Sequence, residues 1–230
     1  MINKFFASAE AALADVPDGA TVMISGFGNA GMPAELIDCL IAQGATDLTV
    51  VNNNAGNADT GLAALIGAGR VRKIICSFPR QTDSWHFDRL YRSGKLELEL
   101  VPQGTLAERI RAAGAGIGGF FTPTAYGTRL AEGKETRHID GRDYVLEFPI
   151  HADYALIKAD RADRWGNLTY RKTARNFGPI MAAAANCAVV QVRETVELGE
   201  LDPETVVTPG IFVKRVVRLV PAGKTALKAA

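Results

Sequence analysis

The feature that most constrains the fold is an apolar run that leads into a glycine-rich segment and then into a helical pattern. Residues 21–24 (Thr-Val-Met-Ile) are β-branched and apolar, which predicts a buried strand. Residues 25–33 (Ser-Gly-Phe-Gly-Asn-Ala-Gly-Met-Pro) follow, and apolar residues then recur at helical spacing over 36–41 until Gly44. A strand, a glycine turn and a helix that begins at Pro33 can hold an anion on unpaired backbone N–H groups. A tight turn without a ligand fits the same residues, because the spacing matches neither the Rossmann nor the Walker pattern.

Apolar runs that end in polar residues recur along the chain. Three of them are residues 48–51 before the asparagine-rich 52–57, residues 71–77 before 78–81, and the alternating residues 96–101 before Pro-Gln-Gly at 102–104. Helical patterns separate these runs, and the clean alternation of the third one predicts a strand at the edge of a sheet. We therefore expect an α/β fold with an open, mainly parallel sheet flanked by helices, and a ligand crevice at the carboxyl edge of the strands.

Neutral amides at these strand ends are candidate ligand groups. Asn52, Asn53 and Gln103 carry amides that both donate and accept hydrogen bonds and that could stabilise an oxyanion. The asparagines fit equally well a turn that uses left-handed backbone. Arg80 lies at another strand end, where its guanidinium fits a carboxylate, although a solvent-facing arginine has the same sequence signal. No nucleophile or base is evident among these residues.

Several further elements are predicted from local patterns. They are a helix over 3–14, a helix capped by Ser84, a capping box of Thr105 and Glu108 in a helix that ends at Gly114, a hairpin around Asp140-Gly141, a strand at 211–213 and a loose tail over 221–230. The loop 114–128 is rich in glycine, which indicates either a ligand close to the backbone or a mobile hinge.

Composition narrows the class of protein. The chain has 230 residues, 47% hydrophobic and 22% charged, and no linker marks a boundary, so we expect one domain over 1–230. A net charge of +1 with scattered Lys and Arg disfavours nucleic-acid binding. The apolar segment at the N-terminus is too short for a secretory signal, and no stretch approaches the ~20 apolar residues of a membrane span. We expect a cytoplasmic protein that does not bind membranes.

The cysteines and histidines give no sign of a metal site. Three cysteines are isolated within apolar runs: Cys39, Cys76 and Cys187. This pattern predicts buried thiols rather than a disulfide. The histidines show no ligand spacing, so we expect no metal.

Short motifs are spread over nearly the whole chain. They are Asp-Gly at 18–19 with Gly26-Phe27, Gly31 and Pro33; Cys-Ser-Phe-Pro-Arg-Gln at 76–81; Pro-Gln-Gly-Thr-Leu-Ala-Glu-Arg-Ile-Arg at 102–111; Phe-Thr-Pro-Thr-Ala-Tyr-Gly-Thr at 121–128; Trp-Gly-Asn-Leu-Thr-Tyr at 165–170; and Arg-Asn-Phe-Gly-Pro-Ile-Met at 175–181. Together they resemble the A subunit of the family I (3-oxoacid) CoA-transferases, with Ser25 where the family signature normally has glycine. Within the family, the motifs at 76–81 and 175–181 are most similar to the branch that acts on 3-oxoadipate.

The resemblance implies a reaction and a partner. CoA would move from succinyl-CoA to 3-oxoadipate in a ping-pong reaction, as in aromatic-compound degradation, through a glutamyl-CoA thioester. In two-subunit enzymes that glutamate lies in a Ser-Glu-Asn-Gly-type motif of the B subunit, and this sequence has no such motif. The implied protein is thus one half of a heterodimer or heterotetramer. It has no catalytic nucleophile of its own, is inactive alone, and takes the CoA thioester as substrate without a tightly bound cofactor.

The carboxylates of this chain have simpler roles in this interpretation. Glu35 lies at a helix start, where the dipole favours a carboxylate. Glu108 belongs to the expected capping box, and Glu147 to a hairpin strand.

The resemblance also implies site residues. CoA contacts fall on Ile24, Ser25, Gly26, Phe27, Gly28, Asn29 and Ala30, and on Gly116, Gly118, Gly119 and Phe120 along the pantetheine path. Asn52, Asn53 and Gln103 border the reacting carbonyl and carboxylate. Arg80 is our hypothesis for the distal carboxylate of a dicarboxylic acceptor. The CoA phosphates also need a cation, for which Arg171, Lys172 and Arg175 are our candidates, with the partner as the other source.

Three alternatives remain open at this point. The acceptor could be acetoacetate or another short 3-oxo acid. A sugar-phosphate sensor or isomerase could use a similar open α/β fold. A purely structural subunit could support its partner without touching ligand, although the glycine and asparagine strand ends argue against it.

Overall fold

Strands and helices alternate through most of the computed structural model, which describes residues 1–219; the expected tail at 221–230 lies outside them. The strands are β1 (Phe5–Phe6), β2 (Thr21–Ile24), β3 (Leu48–Val51), β4 (Val71–Cys76), β5 (Glu97–Leu100), β6 (Phe120–Thr122), β7 (Thr136–Ile139), β8 (Arg142–Glu147), β9 (Ala152–Asp163), β10 (Leu168–Thr169), β11 (Ala185–Val196) and β12 (Arg215–Arg218). The α-helices are α1 (Ala9–Leu13), α2 (Ala34–Gln43), α3 (Gly61–Gly67), α4 (Trp85–Arg92), α5 (Gln103–Gly114) and α6 (Gly178–Ala184). Short 3₁₀ turns occupy Arg129–Ala131, Lys172–Arg175, Pro203–Thr205 and Gly210–Phe212.

The main sheet has the strand order β1-β12-β11-β9-β2-β3-β4-β5. All neighbours along this path are parallel, and β10 adds an antiparallel pairing to β9. The expected open, mainly parallel sheet is therefore confirmed, as is the edge position of β5. The carboxyl ends of β2, β3, β4 and β5 lie side by side at one edge of this sheet.

Helices cover both faces of the sheet, which explains why its central strands are apolar on both sides. Ile24 of β2 belongs to a core shared with α1 to α4, while Met23 belongs to a core shared with α5 and α6. α2 ends as expected at Gly44, whose φ of 100° suits glycine and whose N–H donates to the Leu40 carbonyl.

A second, smaller sheet has the order β6-β8-β7 and is antiparallel. The expected hairpin around Asp140-Gly141 joins β7 to β8, and both turn residues have positive φ, 48° and 77°. This sheet follows α5, and its strand β6 lies in the middle of the glycine-rich segment 114–128.

The expected helix over 3–14 is wrong in its first half. Phe5 and Phe6 pair with β12 as a short parallel strand, and the Ser8 hydroxyl accepts a hydrogen bond from the Ala11 N–H, so the helix starts after Ser8. The expected strand at 211–213 is also wrong. Residues Gly210–Phe212 form a 3₁₀ turn, and the strand begins at Arg215.

Both expected helix caps are corrected as well. α5 begins at Gln103, directly after the extended Pro102, so Thr105 lies inside the helix and Glu108 instead pairs with Arg111. Ser84 stands at the N-cap position of α4 as expected, but its side chain makes no capping bond: its hydroxyl accepts from the Gln81 N–H and donates to the Gly56 carbonyl.

Candidate functional site

The loops after β2, β3, β4 and β5 enclose a cleft of about 830 Å³ at the carboxyl edge of the sheet. We call it the amide cleft. Its lining residues are Phe27, Gly28, Asn53, Asn54, Asn57, Ser77, Phe78, Arg80, Gln81, Thr82 and Gln103. The structure thus brings Phe27, Gly28, Asn53, Arg80 and Gln103 together, although they come from four separate loops. Their common position follows from the parallel sheet, whose strand ends share an edge.

Asn53 is the centre of the hydrogen bonding in the amide cleft. Its Oδ1 accepts from Gln103 Nε2 at 2.7 Å and from Ser77 Oγ at 2.9 Å, and the residue is 4% exposed. These bonds fix the orientation of the amide. Within residues 1–219 its Nδ2 has no partner, so Asn53 presents a fixed N–H donor to the cleft.

Asn54 is a second donor that the sequence analysis missed. Its Oδ1 accepts from the Gly56 N–H at 2.8 Å, while its Nδ2 is buried and has no partner among the described residues. An unpaired buried donor costs about 1–3 kcal/mol, so it is retained where a ligand satisfies it. The asparagine run contained this signal, but its letters do not say which amide faces the cleft.

Asn52 has a different position. It is fully buried, its Nδ2 donates to the Ile24 carbonyl at 2.6 Å, and its Oδ1 accepts from the Asn54 N–H at 2.8 Å. Both ends of the amide are therefore used to tie the end of β2 to the loop after β3. The structure does not bring Asn52 into the amide cleft, and its expected role at the reacting carbonyl stays a prediction.

The glycine-rich segment after β2 is a small hairpin. The Phe27 N–H donates to the Ala30 carbonyl at 3.0 Å and the Ala30 N–H donates back at 3.2 Å, with Gly28 and Asn29 at the tip. Phe27, Asn29 and Ala30 are exposed, whereas Ile24 and Ser25 are fully buried. Of the segment expected to contact CoA, the accessible part is thus residues 27–30, which we call the glycine hairpin.

The start of α2 is not the open anion site that the sequence suggested. The Leu36 N–H donates to Gln191 Oε1 at 3.2 Å, and Gln191 Nε2 donates to the Glu35 carboxylate. A glutamine from β11 therefore occupies this helix start. Its separation of 155 residues from Leu36 explains why no local pattern predicts it.

A basic surface lies on the other side of the glycine hairpin. Phe27 and Ala30 share a cavity of about 610 Å³ with Lys172 and Arg175. An adjoining cavity of about 450 Å³ is lined by Ala30, Arg171 and Lys172, among others. The hairpin thus contributes both to the amide cleft, where Arg80 is the one charged residue among the described lining residues, and to a region in which Lys and Arg outnumber the acidic Glu35 and Asp160.

Residues 116–120 are remote from the amide cleft. α5 begins in the cleft at Gln103, runs ~18 Å at 1.5 Å per residue, and ends at Gly114 against Ala183, just before β11 begins. It therefore carries the following loop to the amino edge of the sheet, where Gly119 lies against the Glu147 carbonyl. The expected contact of Gly116, Gly118, Gly119 and Phe120 with pantetheine stays a prediction.

Arg80 is exposed and lines the amide cleft. Its Nε donates to Asp88 Oδ1 at 2.7 Å, and this hydrogen bond raises the pKa of Arg80 and lowers that of Asp88. The pair fixes one side of the guanidinium at the end of β4.

The carboxylates considered as nucleophiles lie elsewhere. Glu35 is held by Gln191, Glu108 by Arg111 and Glu147 by Lys134. Within the part of the chain that the structure describes, no Asp or Glu lines the amide cleft.

The thiols are unsuited to covalent chemistry. Cys39 and Cys76 are buried, Cys187 is partly buried, and burial raises the pKa of Cys76 to about 12. Among residues 1–219 no group of His, Cys, Asp or Glu is placed to hold a metal ion. In the same range, each helix is too short or too polar to span a bilayer.

Comparison with known proteins identifies the class. The family model described as coenzyme A transferase matches residues 6–219. The A subunit of 3-oxoadipate CoA-transferase from Pseudomonas putida is 67% identical over 227 residues, which cover 99% of this chain and 98% of that protein. The protein of the same name from Acinetobacter baylyi is 66% identical over 217 residues, 94% of this chain and 95% of the relative. This chain belongs to the coenzyme A transferase family.

Solved structures agree at the level of the fold. An acyl-CoA transferase from Escherichia coli O157:H7, solved as a thioester complex with CoA, matches with a TM-score of 0.83 and 23% identity over 97% of this chain and 50% of that chain. Glutaconate coenzyme A-transferase from Acidaminococcus fermentans matches with a TM-score of 0.79 and 22% identity over 94% of this chain and 75% of that chain. The family expected from the sequence motifs is confirmed by the family model and the relatives, and these solved structures share its fold.

Proposed function

We propose that this chain is the A subunit of a CoA-transferase that moves CoA from succinyl-CoA to 3-oxoadipate, a step in aromatic-compound degradation. The 67% identity to the Pseudomonas putida protein over nearly all of both chains carries this proposal. The A subunit of a succinyl-CoA:3-ketoacid coenzyme A transferase from Xanthomonas campestris is 52% identical. This lower value favours 3-oxoadipate over a shorter 3-oxo acid such as acetoacetate.

The amide cleft supports a role as one half of an active site. It offers hydrogen-bond donors from Asn53, Asn54 and Gln103 and, among the described residues, no carboxylate. Transfer through a glutamyl thioester needs a carboxylate nucleophile, which a B subunit supplies in this proposal. Phe27 and Phe78, 53% and 59% exposed, flank the cleft and form an apolar rim that suits a protein partner. We propose a heterodimer or heterotetramer in the cytoplasm.

The proposed chemical role of this chain is to stabilise negative charge. When the partner's glutamate attacks the thioester carbonyl, the carbonyl oxygen becomes an oxyanion. Donors held in place before the reaction lower the energy of that state without reorganising. Asn53 fits this role because Gln103 and Ser77 fix its amide, and Asn54 adds a buried donor that lacks a partner in the described chain.

The glycine hairpin and the adjoining basic surface form the proposed CoA contact. The hairpin tip exposes backbone at Gly28 and Asn29, close to Lys172 and Arg175. Phosphates of CoA would meet these cations, while the thioester reaches the amide cleft. Lys172→Gln should then raise the KM for succinyl-CoA severalfold, by an amount that shrinks at high salt.

An exchange assay tests the proposed function. CoA transfer from succinyl-CoA to 3-oxoadipate is measured with only this chain, with only its cognate B subunit, and with both. We expect activity only when both subunits are present, and none with either subunit alone. Activity of this chain by itself would contradict the division of the site, and transfer to acetoacetate but not to 3-oxoadipate would contradict the acceptor while leaving the family activity intact.

A further inference from the structure

The segment 175–181 carries a motif that the proposed reaction leaves without a role. Within it, the side chain of Asn176 reaches across to the glycine-rich segment. Its Oδ1 accepts from the Gly26 N–H at 3.1 Å, and its Nδ2 donates to the Ala30 carbonyl at 2.8 Å. One amide group therefore bonds to the chain just before the glycine hairpin and to the last residue of that hairpin.

The same amide also holds its own turn together. Oδ1 accepts from the Phe177 N–H at 2.8 Å, and Nδ2 donates to the Thr173 carbonyl at 3.1 Å. Asn176 thus joins the basic 3₁₀ turn Lys172–Arg175 to the glycine hairpin. Because the amide uses an acceptor and a donor at once, neither a carboxylate nor a hydroxyl on a shorter side chain reproduces the full set.

Close packing at Gly31 shows how tightly these segments meet. A Cβ at Gly31 would lie 2.3 Å from the Ala174 carbonyl oxygen and 2.8 Å from Asn176 Nδ2. Such distances exclude any side chain, and the φ of 75° also favours glycine. The backbone of the hairpin's C-terminal side is therefore pressed directly onto the turn that contains Asn176.

The backbone of Asn176 is itself unusual, with φ 20° and ψ −117°. Conformations of this kind cost about 1–3 kcal/mol and persist where surrounding contacts determine them. Here the contacts are the hydrogen bonds of the Asn176 side chain on both sides of the junction.

We propose that Asn176 is a positioning residue that holds the glycine hairpin in the geometry that CoA needs. This inference rests on the proposed function, because the hairpin is the proposed CoA contact. Asn176 itself acts through Gly26 and Ala30. Loss of its side chain removes one hydrogen bond from each end of the hairpin at once, at Gly26 and at Ala30, which lets the tip move relative to the amide cleft. The Ser25 hydroxyl still donates to the Gly31 carbonyl, so the strand before the hairpin keeps its place.

The test uses Asn176→Ala, Asn176→Asp and a matched control in the assembled complex with the B subunit. Asn167→Ala is the control because the Asn167 amide likewise joins distant segments, with Oδ1 accepting from the Gly210 N–H and Nδ2 donating to Asp163, both at 2.8 Å. Hydrogen exchange of peptides over residues 25–33 reports on the hairpin. Steady-state kinetics with succinyl-CoA report on how well the hairpin binds the CoA substrate.

In Asn176→Ala we expect faster hydrogen exchange over residues 25–33. We also expect kcat/KM for succinyl-CoA to fall about tenfold, mainly because KM rises. Asn176→Asp keeps the acceptor for Gly26 but faces the Ala30 carbonyl with a second acceptor, so it should behave as a defective variant too. Asn167→Ala should lower the melting temperature without either change.

Unchanged exchange over 25–33 in Asn176→Ala would overturn the inference, because the side chain would then not hold the hairpin. Faster exchange with unchanged kcat/KM would overturn it as well, since hairpin position would not matter for the reaction. If the wild-type complex transfers no CoA, the proposed function is wrong, and so is the role of Asn176 in CoA binding. The hydrogen-exchange data then decide separately whether Asn176 holds the hairpin.

Discussion

The amide cleft and a second polar region pair their polar groups in opposite ways. The second region, which we call the ion-pair network, consists of Lys73, Glu99, Arg109, Glu147 and Lys134. Arg109 Nη1 lies 2.8 Å from Glu99 Oε1, and Lys134 Nζ lies 2.5 Å from Glu147 Oε1. It borders a cavity of about 560 Å³ between β5 and the small sheet.

The difference lies in what is left unpaired. In the ion-pair network every charged group faces an opposite charge, and Arg109 Nε also donates to the Phe148 carbonyl at 2.7 Å. In the amide cleft, Asn54 keeps a buried donor without a partner in the described chain. A cavity alone therefore does not mark a ligand site. The amide cleft differs because a donor without a partner belongs to one of its lining residues. Buried polar atoms of Arg70, Thr105 and Arg161 also lack partners in the described chain, but these residues do not line the cleft.

The largest expected effect is the loss of catalysis in Asn53→Ala. Removing one donor from an oxyanion site typically lowers kcat by about 10²–10³-fold, and steady-state kinetics of the complex measure it. Asn52→Ala is the matched variant. It should lose about 1–3 kcal/mol of the free energy of unfolding, because it removes buried, paired groups, and its kcat should fall far less. Equal losses of kcat in the two variants would contradict the assignment of Asn53 to catalysis and of Asn52 to stability.

In the ion-pair network the effect should fall on stability instead. Glu147→Ala leaves Arg109 and Lys134 facing each other without their shared carboxylate, and Glu147 is only 3% exposed. We expect a loss of about 2–4 kcal/mol in denaturant unfolding, discounted from the fully buried case because Lys134 reaches solvent. Glu108→Ala breaks the exposed pair with Arg111 and should leave the free energy of unfolding nearly unchanged. Similar losses of unfolding free energy in Glu147→Ala and Glu108→Ala would contradict the claim that the ion-pair network stabilises the fold more than an exposed pair does.

A smaller effect is expected in acceptor choice. Arg80→Ala should lower the preference for 3-oxoadipate over acetoacetate by about tenfold if its guanidinium binds the distal carboxylate. The ratio of kcat/KM values for the two acids measures it. Asp88→Ala keeps the guanidinium and should keep the preference. An unchanged ratio in Arg80→Ala would remove Arg80 from the substrate site.

The smallest effect is a change in acid stability. Burial alone would raise the pKa of Glu99, but hydrogen bonds from Lys73 and Arg109 outweigh it and hold that pKa below its ordinary 4.5. Its contribution to stability is therefore present above pH 4.5 and is lost as the pH falls through that value toward the lower folded-state pKa. Unfolding free energies of Glu99→Gln should fall less steeply than those of the wild type between about pH 5 and pH 3. If the unfolding free energies of the variant and the wild type fall equally steeply, the lowered pKa of Glu99 is contradicted.

The sequence predicts most of the main sheet for a physical reason. Strands buried on both faces are largely apolar runs, as in β2 and β3, and Gly44 ends α2 because its left-handed backbone suits glycine. The order of these strand ends along one edge then places Asn53 near Gln103. The small elements were harder, since Ser8 and Pro102 decide where α1 and α5 begin through contacts or geometry that a periodic pattern does not contain.

The site was predicted less completely, and each gap has its own cause. Asn52 ties the end of β2 to the loop after β3, whereas Asn54 is among the residues that line the cleft, and the letters of an asparagine run do not contain this division. The cap at Leu36 comes from Gln191, far along the chain. The position of residues 116–120 is predictable from the sequence, because a helix as long as α5 that starts at the carboxyl edge of the sheet must end near the amino edge.

Locating the CoA thioester tests the division of the site most directly. The complex is incubated with succinyl-CoA without an acceptor, the two chains are separated under denaturing conditions, and their intact masses are measured over time. We predict that CoA mass appears on the B subunit, never on this chain, and that it appears at least about tenfold more slowly with Asn53→Ala. CoA mass on this chain, or an unchanged rate in Asn53→Ala, would contradict the claim that this chain supplies the charge-stabilising half of the site.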